Sequence, residues 1–91
     1  GDRDITQLVQ DNIDFVNRKS SEVYSVIQGA MTLEEIAKAV IEKLRISVSN
    51  FGFYDLEASI NSFVEYLYEI GALKLELTDG YLRYSRTNFR L

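Results

Sequence analysis

The sequence predicts an α+β domain of three helices, the first of them long, followed by a C-terminal β-hairpin. Three observations carry that expectation. Apolar residues recur at three- and four-residue spacing over three separate stretches, the period of a helix with one buried face. Gly29 and Gly71 each close such a stretch, where a left-handed residue commonly ends a helix. Beyond the third stretch Leu73, Leu75 and Leu77 alternate with Lys74 and Glu76 up to Asp79-Gly80, so strand periodicity runs into a dipeptide that favours a two-residue type I′ turn. A chain of 91 residues has room for one core. Residues 1–91 are therefore expected to form a single domain, frayed at 1–3 and 87–91.

The first helix is read over residues 4–28, where Ile5, Val9, Val16, Val23 and Val26 form a stripe that Asn12 and Lys19 interrupt. Unbroken, it is about 37 Å long at 1.5 Å per residue, more than so small a core needs, so its first half is expected to overhang. Asn17 to Ser21 is the weak place, because Asn and Ser compete for backbone hydrogen bonds, yet one continuous helix is the expectation. After Gly29, Thr32-Leu33-Glu34-Glu35 reads as a capping box that opens the second helix. There Leu33, Ile36, Ala37, Val40, Ile41 and Leu44 share one face. Residues 45–54 have no helical period and contain Gly52, which predicts a loop with a short extended stretch, and Asp55 is a candidate N-cap. The third helix, Leu56 to Ile70, presents Leu56, Ile60, Phe63, Leu67 and Ile70. Counting outward from Asp79-Gly80 pairs Thr78 with Tyr81, Leu77 with Leu82, Glu76 with Arg83 and Leu75 with Tyr84, leaving one face apolar and the other with an opposite-charge pair. The predicted core is Leu33, Ile36, Val40, Ile60, Phe63, Leu67, Leu75 and Leu77. Helix, capped helix, helix and hairpin, in that order, make a winged helix.

Composition narrows the chemistry. The chain has no Cys and no His, so disulfides, zinc-thiolate sites, a cysteine nucleophile and the usual neutral-pH general base are all missing. No G-x-S-x-G, glycine-rich phosphate loop or D-x-D-x-D-G calcium loop is present. No catalytic residue, metal ligand or cofactor is therefore assigned. Net charge is −4, no stretch is apolar enough for a membrane span or a signal peptide, and a cytoplasmic location is expected.

A winged helix invites a nucleic-acid reading, as the DNA- or RNA-binding domain of a transcriptional regulator. The charges oppose it. Between Arg45 and Lys74 there is no Lys or Arg, whereas Asp55, Glu57, Glu65 and Glu69 lie on or beside the would-be recognition helix. Positive charge gathers only in the hairpin and tail, where Lys74, Arg83, Arg86 and Arg90 are the candidate phosphate contacts. The aromatic run Phe51-Gly52-Phe53-Tyr54 is either a lid on the core or an anchor for a partner. Ile5, Val9, Phe15 and Val16, with Leu8 and Ile13, place apolar surface on the overhanging half of the first helix, and self-association through it is expected.

Asp11-Asn12-Ile13-Asp14-Phe15, then Thr32-Leu33-Glu34-Glu35-Ile36, then Phe53-Tyr54-Asp55-Leu56 leading into Phe63-Val64-Glu65-Tyr66-Leu67, resemble the C-terminal helical domain of bacterial metallo-beta-lactamase-fold hydrolases. The likeness covers residues 5–85. In that family an H-x-H-x-D-H motif in the preceding catalytic domain holds the metals, and this chain contains none of it, so no catalytic residue carries over. The resemblance implies an accessory domain that packs beside the hydrolase site, helps form a dimer or shapes substrate access. A chain that opens Gly1-Asp2 without Met fits a segment of a longer protein, whose catalytic domain is then a further expected partner.

Overall fold

The computed structural model describes residues 2–44 and 53–91, with side chains described for 4–44 and 56–91. Helix α1 (Asp2–Val26) runs 25 residues without a break. The suspected weak point does not divide it, because Ser20 turns inward and is buried, a small side chain that lets α1 approach its neighbours closely. Helix α2 (Leu33–Leu44) begins where the capping box places it. Thr32 N–H donates to Glu35 Oε1 at 3.0 Å and Glu35 N–H donates back to Thr32 Oγ1 at 3.2 Å, satisfying two amides that the helix itself leaves unbonded.

Helix α3 (Phe53–Glu69) starts earlier than the sequence suggests. Phe53, Tyr54 and Asp55 are its first turn, so Asp55 is not the N-cap; an acidic residue suits the first turn for the same electrostatic reason that it suits the cap. Of the loop expected over 45–54, residues 53 and 54 are helical and 45–52 lie outside the described residues. Gly71, at φ 85°, then turns the chain out of α3.

Strands β1 (Leu73–Thr78) and β2 (Tyr81–Arg86) pair antiparallel in the register counted from the turn, from Thr78 opposite Tyr81 to Leu73 opposite Arg86. Asp79 and Gly80 both have positive φ, 54° and 83°, as a type I′ turn demands. β2 has a second neighbour. Met31, between α1 and α2, exchanges both backbone hydrogen bonds with Tyr84, at 2.9 and 2.7 Å.

The core is Val23 and Ile27 from the end of α1, Ile36, Ala37 and Val40 from α2, Ile60, Val64 and Leu67 from α3, and Ala72 and Leu73 where α3 hands over to β1. Three expectations need correction. Val64, fully buried, replaces Phe63 at the centre of α3, because the inward stripe is turned toward the Val64 side and leaves Phe63 half-buried on its border. Leu33 is likewise only partly buried. Leu75 and Leu77 are not core residues: they are 37% and 72% exposed. A strand rises about 3.3 Å per residue, so Leu75 and Leu77 stand roughly 7 and 13 Å beyond Leu73, past the edge of the helical layer.

The charged side chains of β2 tie the hairpin to the helices. Arg83 stands opposite Glu76 in register, but its guanidinium bridges to Glu35 at 3.2 Å, and Glu76 pairs with Lys74 at 3.1 Å instead. Arg86 donates through Nη2 and Nε to the Tyr24 carbonyl, at 2.8 and 3.2 Å, and its guanidinium lies 4.5 Å from the Tyr24 ring centroid. α1 has no basic residue in its last turn, so Arg86 supplies from another element the positive charge that its C-terminal carbonyls favour. Thr87 extends the hold: its N–H donates to the Ala72 carbonyl at 3.0 Å and its hydroxyl to that of Gly71 at 2.6 Å.

Candidate functional site

The N-terminal half of α1 lies outside the core. Ser20, Val23 and Ile27 mark the inward face of this helix, and stepping back along it in threes and fours leads to Val16, then Asn12 and Ile13, then Val9 and Leu8, then Ile5. The stripe that the domain buries at one end of the helix thus continues along the same face at the other. Ile5 and Leu8 are each 63% exposed, Val9 53%, Ile13 48% and Phe15 45%. Val16 is half-buried.

α3 accompanies α1 only part of the way. Phe15 and Phe63 meet with ring centroids 6.4 Å apart and planes tilted by 58°, and Arg18 and Lys19 each bring a cation 5.9 Å from the Phe15 centroid. At about the same level along the helix, Asn12, Ile13, Val16 and Asn17 line a shallow depression of about 300 Å³ with Tyr66 of α3. The polar edge of the helix is internally bonded, Gln7 donating to Asp11 at 2.8 Å and Gln10 to Asp14 at 3.0 Å. The face is thus apolar along its length and bordered by polar side chains that bond one another.

The structure places the other sequence-nominated residues as follows. Phe51 lies outside the described residues, and of Phe53 and Tyr54 only the helical backbone is described. Of the candidate phosphate contacts, Lys74, Arg83 and Arg86 have the protein partners given above, and Arg90 is exposed near the C-terminus. Glu35, with Thr32 and Arg83 around it, has its carboxyl below the ordinary carboxylate range, chiefly because the Thr32 N–H and hydroxyl bond its charged form. Tyr84, edge-on to Tyr68 at 6.2 Å, is held above the usual phenol range, mainly by burial and further by the nearby Glu65 carboxylate.

A second apolar surface was not legible in the sequence. Leu77, Tyr81 and Leu82, exposed at 72%, 60% and 59%, crown the hairpin, and Leu82 and Tyr81 line a groove with Thr32, Leu33, Glu34 and Tyr84. Alternation marked Leu75 and Leu77 as one apolar face; it carries no information on whether that face is covered. Among the described residues no cluster of three or more His, Cys, Asp or Glu side chains is placed to hold a metal ion, and no helix is long and apolar enough to cross a membrane. Comparison with models of protein families, with curated proteins and with solved structures finds no match.

Proposed function

We infer that this domain is a non-catalytic interaction module, the accessory part of a larger cytoplasmic hydrolase of the metallo-beta-lactamase fold, and that it meets its protein partner through the N-terminal half of α1. The observation that carries the reading is the stripe Ile5, Leu8, Val9 and Ile13, which continues the buried face of α1 yet lies about half or more exposed. Apolar surface so arranged costs solubility unless another protein covers it. The assignment to a hydrolase rests on the resemblance of Thr32 to Ile36 and Phe63 to Leu67 to that family's accessory domain. Arg83 and Arg86, each engaged within the fold, and an α3 that carries Glu57, Glu65 and Glu69 without a basic residue weigh against a nucleic-acid role.

Photo-crosslinking inside cells tests the inference. Benzoylphenylalanine at position 9 is expected to give protein adducts that disappear when Ile13 is changed to Asp, while the same probe at Lys38, on the exposed face of α2, gives none. Adducts to nucleic acid from position 83, with no protein adduct from position 9, would replace this reading by the regulator's DNA- or RNA-binding domain.

A further inference from the structure

The hairpin keeps a short length of strand edge open. Tyr84 gives both its N–H and its C=O to Met31, so these groups point away from β1. Alternate residues of a strand direct their backbone groups to the same side. Leu82, opposite Leu77 in the register, therefore turns its own N–H and C=O toward the edge on which Met31 sits. No backbone group of the described residues meets them there, because the chain leaves that edge after Met31: Thr32 is the cap and Leu33 the first residue of α2.

We propose that this edge docks an extended segment of another protein, which adds beside Leu82 as a strand, sets an apolar side chain in the adjoining groove and carries next to it a Lys or Arg that meets Glu34. Backbone, groove and charge argue for that occupant. The Leu82 N–H and C=O, on a residue 59% exposed, are the paired donor and acceptor that an added strand takes up. Leu33, Tyr81, Leu82 and Tyr84 supply the apolar lining of a groove of about 280 Å³ beside them. Glu34 lies on the same groove, is exposed and has no ion-pair partner among the described residues, whereas its neighbour Glu35 is taken by Arg83. A free carboxylate beside an apolar groove favours a cationic occupant. The other strand shows the contrast. β1 carries Lys74 and Glu76, the kind of charged side chain that guards a strand edge against pairing, and Tyr81 and Leu82 bear no charge. None of these groups belongs to α1, so the site stands whether or not the α1 face binds a partner.

Nuclear magnetic resonance titration of the isotope-labelled chain with a blocked pentapeptide of sequence Thr-Val-Arg-Val-Thr tests the site. The Leu82 amide should move downfield and exchange more slowly with solvent, with half-saturation on the order of 1 mM, as two backbone hydrogen bonds and one seated side chain allow. The peptide with Glu in place of Arg should bind at least about threefold more weakly, and Glu34→Gln should narrow that difference. The same peptide N-methylated throughout can give no amide to the Leu82 carbonyl and should leave the Leu82 signal in place, a control that alters nothing in the protein. Equal shifts with the N-methylated peptide overturn strand addition, and equal binding of the Glu peptide overturns the basic occupant. An unmoved Leu82 amide at several times the half-saturating concentration overturns the site. Shifts at Leu82 that grow with the concentration of the chain alone give the edge to a second copy and overturn the peptide segment as its occupant.

Discussion

Glu35 joins three parts of the molecule at one carboxylate: the Thr32 amide and the Arg83 guanidinium both donate to its Oε1, and its own N–H closes the capping box. Because the folded state favours its charged form, its contribution to stability is present above the ordinary carboxyl value of 4.5 and is lost as pH falls through the lower folded value. Glu35→Gln should therefore be destabilising at neutral pH, with the deficit shrinking as pH falls below the ordinary carboxyl value, as urea unfolding at neutral and acid pH will show. Ser20 presents the opposite case. It is 2% exposed and its hydroxyl has no hydrogen-bond partner, so the fold bears the desolvation of a polar group without return. Ser20→Ala keeps the close approach of α1 to its neighbours, removes that group and improves helix propensity. Stability should rise by about 1 kcal/mol, read as a higher urea midpoint at unchanged slope.

Two leucines on adjoining elements separate covered from uncovered surface. Leu67, fully buried on α3, should cost about 2–5 kcal/mol when changed to Ala, whereas Leu77→Ala, on the far part of β1, should stay within about 0.5 kcal/mol. Thermal unfolding of the two variants checks the pair together. The same contrast explains what was legible in the sequence. Element type, the capping box, the bounds of α2 and the hairpin register all follow from local rules, and each stands in the structure. Coverage does not follow from local rules. Whether the apolar face of Leu75 and Leu77 meets the helices depends on where the hairpin stands relative to their ends, and that is set by Met31 bonding Tyr84 and by Arg86 reaching Tyr24, contacts between residues more than fifty positions apart. The exposed stripe on α1 was legible for the converse reason: its length alone exceeds what the rest of so short a chain can cover.

At the scale of the whole molecule that overhang sets the shape. The radius of gyration is 14.7 Å, against roughly 12 Å for a compact domain of this length, and the longest dimension is 54 Å. A domain so drawn out presents its α1 face at a distance from the hairpin crown, so a protein bound to one can leave the other open. Within the body, Met31 and Tyr84 have a bearing on motion. Each amide of this pair is held by the carbonyl of the other residue, across 53 positions of chain, and no ladder continues from Met31. Neither amide is freed without breaking the backbone contact that joins β2 to the turn between α1 and α2. In native-state hydrogen exchange the two should open in one event, with opening free energies that agree and exceed those of the hairpin amides near Asp79-Gly80. Different values at the two positions would mean that the hairpin can peel from one side while still docked on the other. Equal values make this reciprocal pair one opening unit among the contacts, with those of Arg83 and Arg86, that hold the hairpin on the helices.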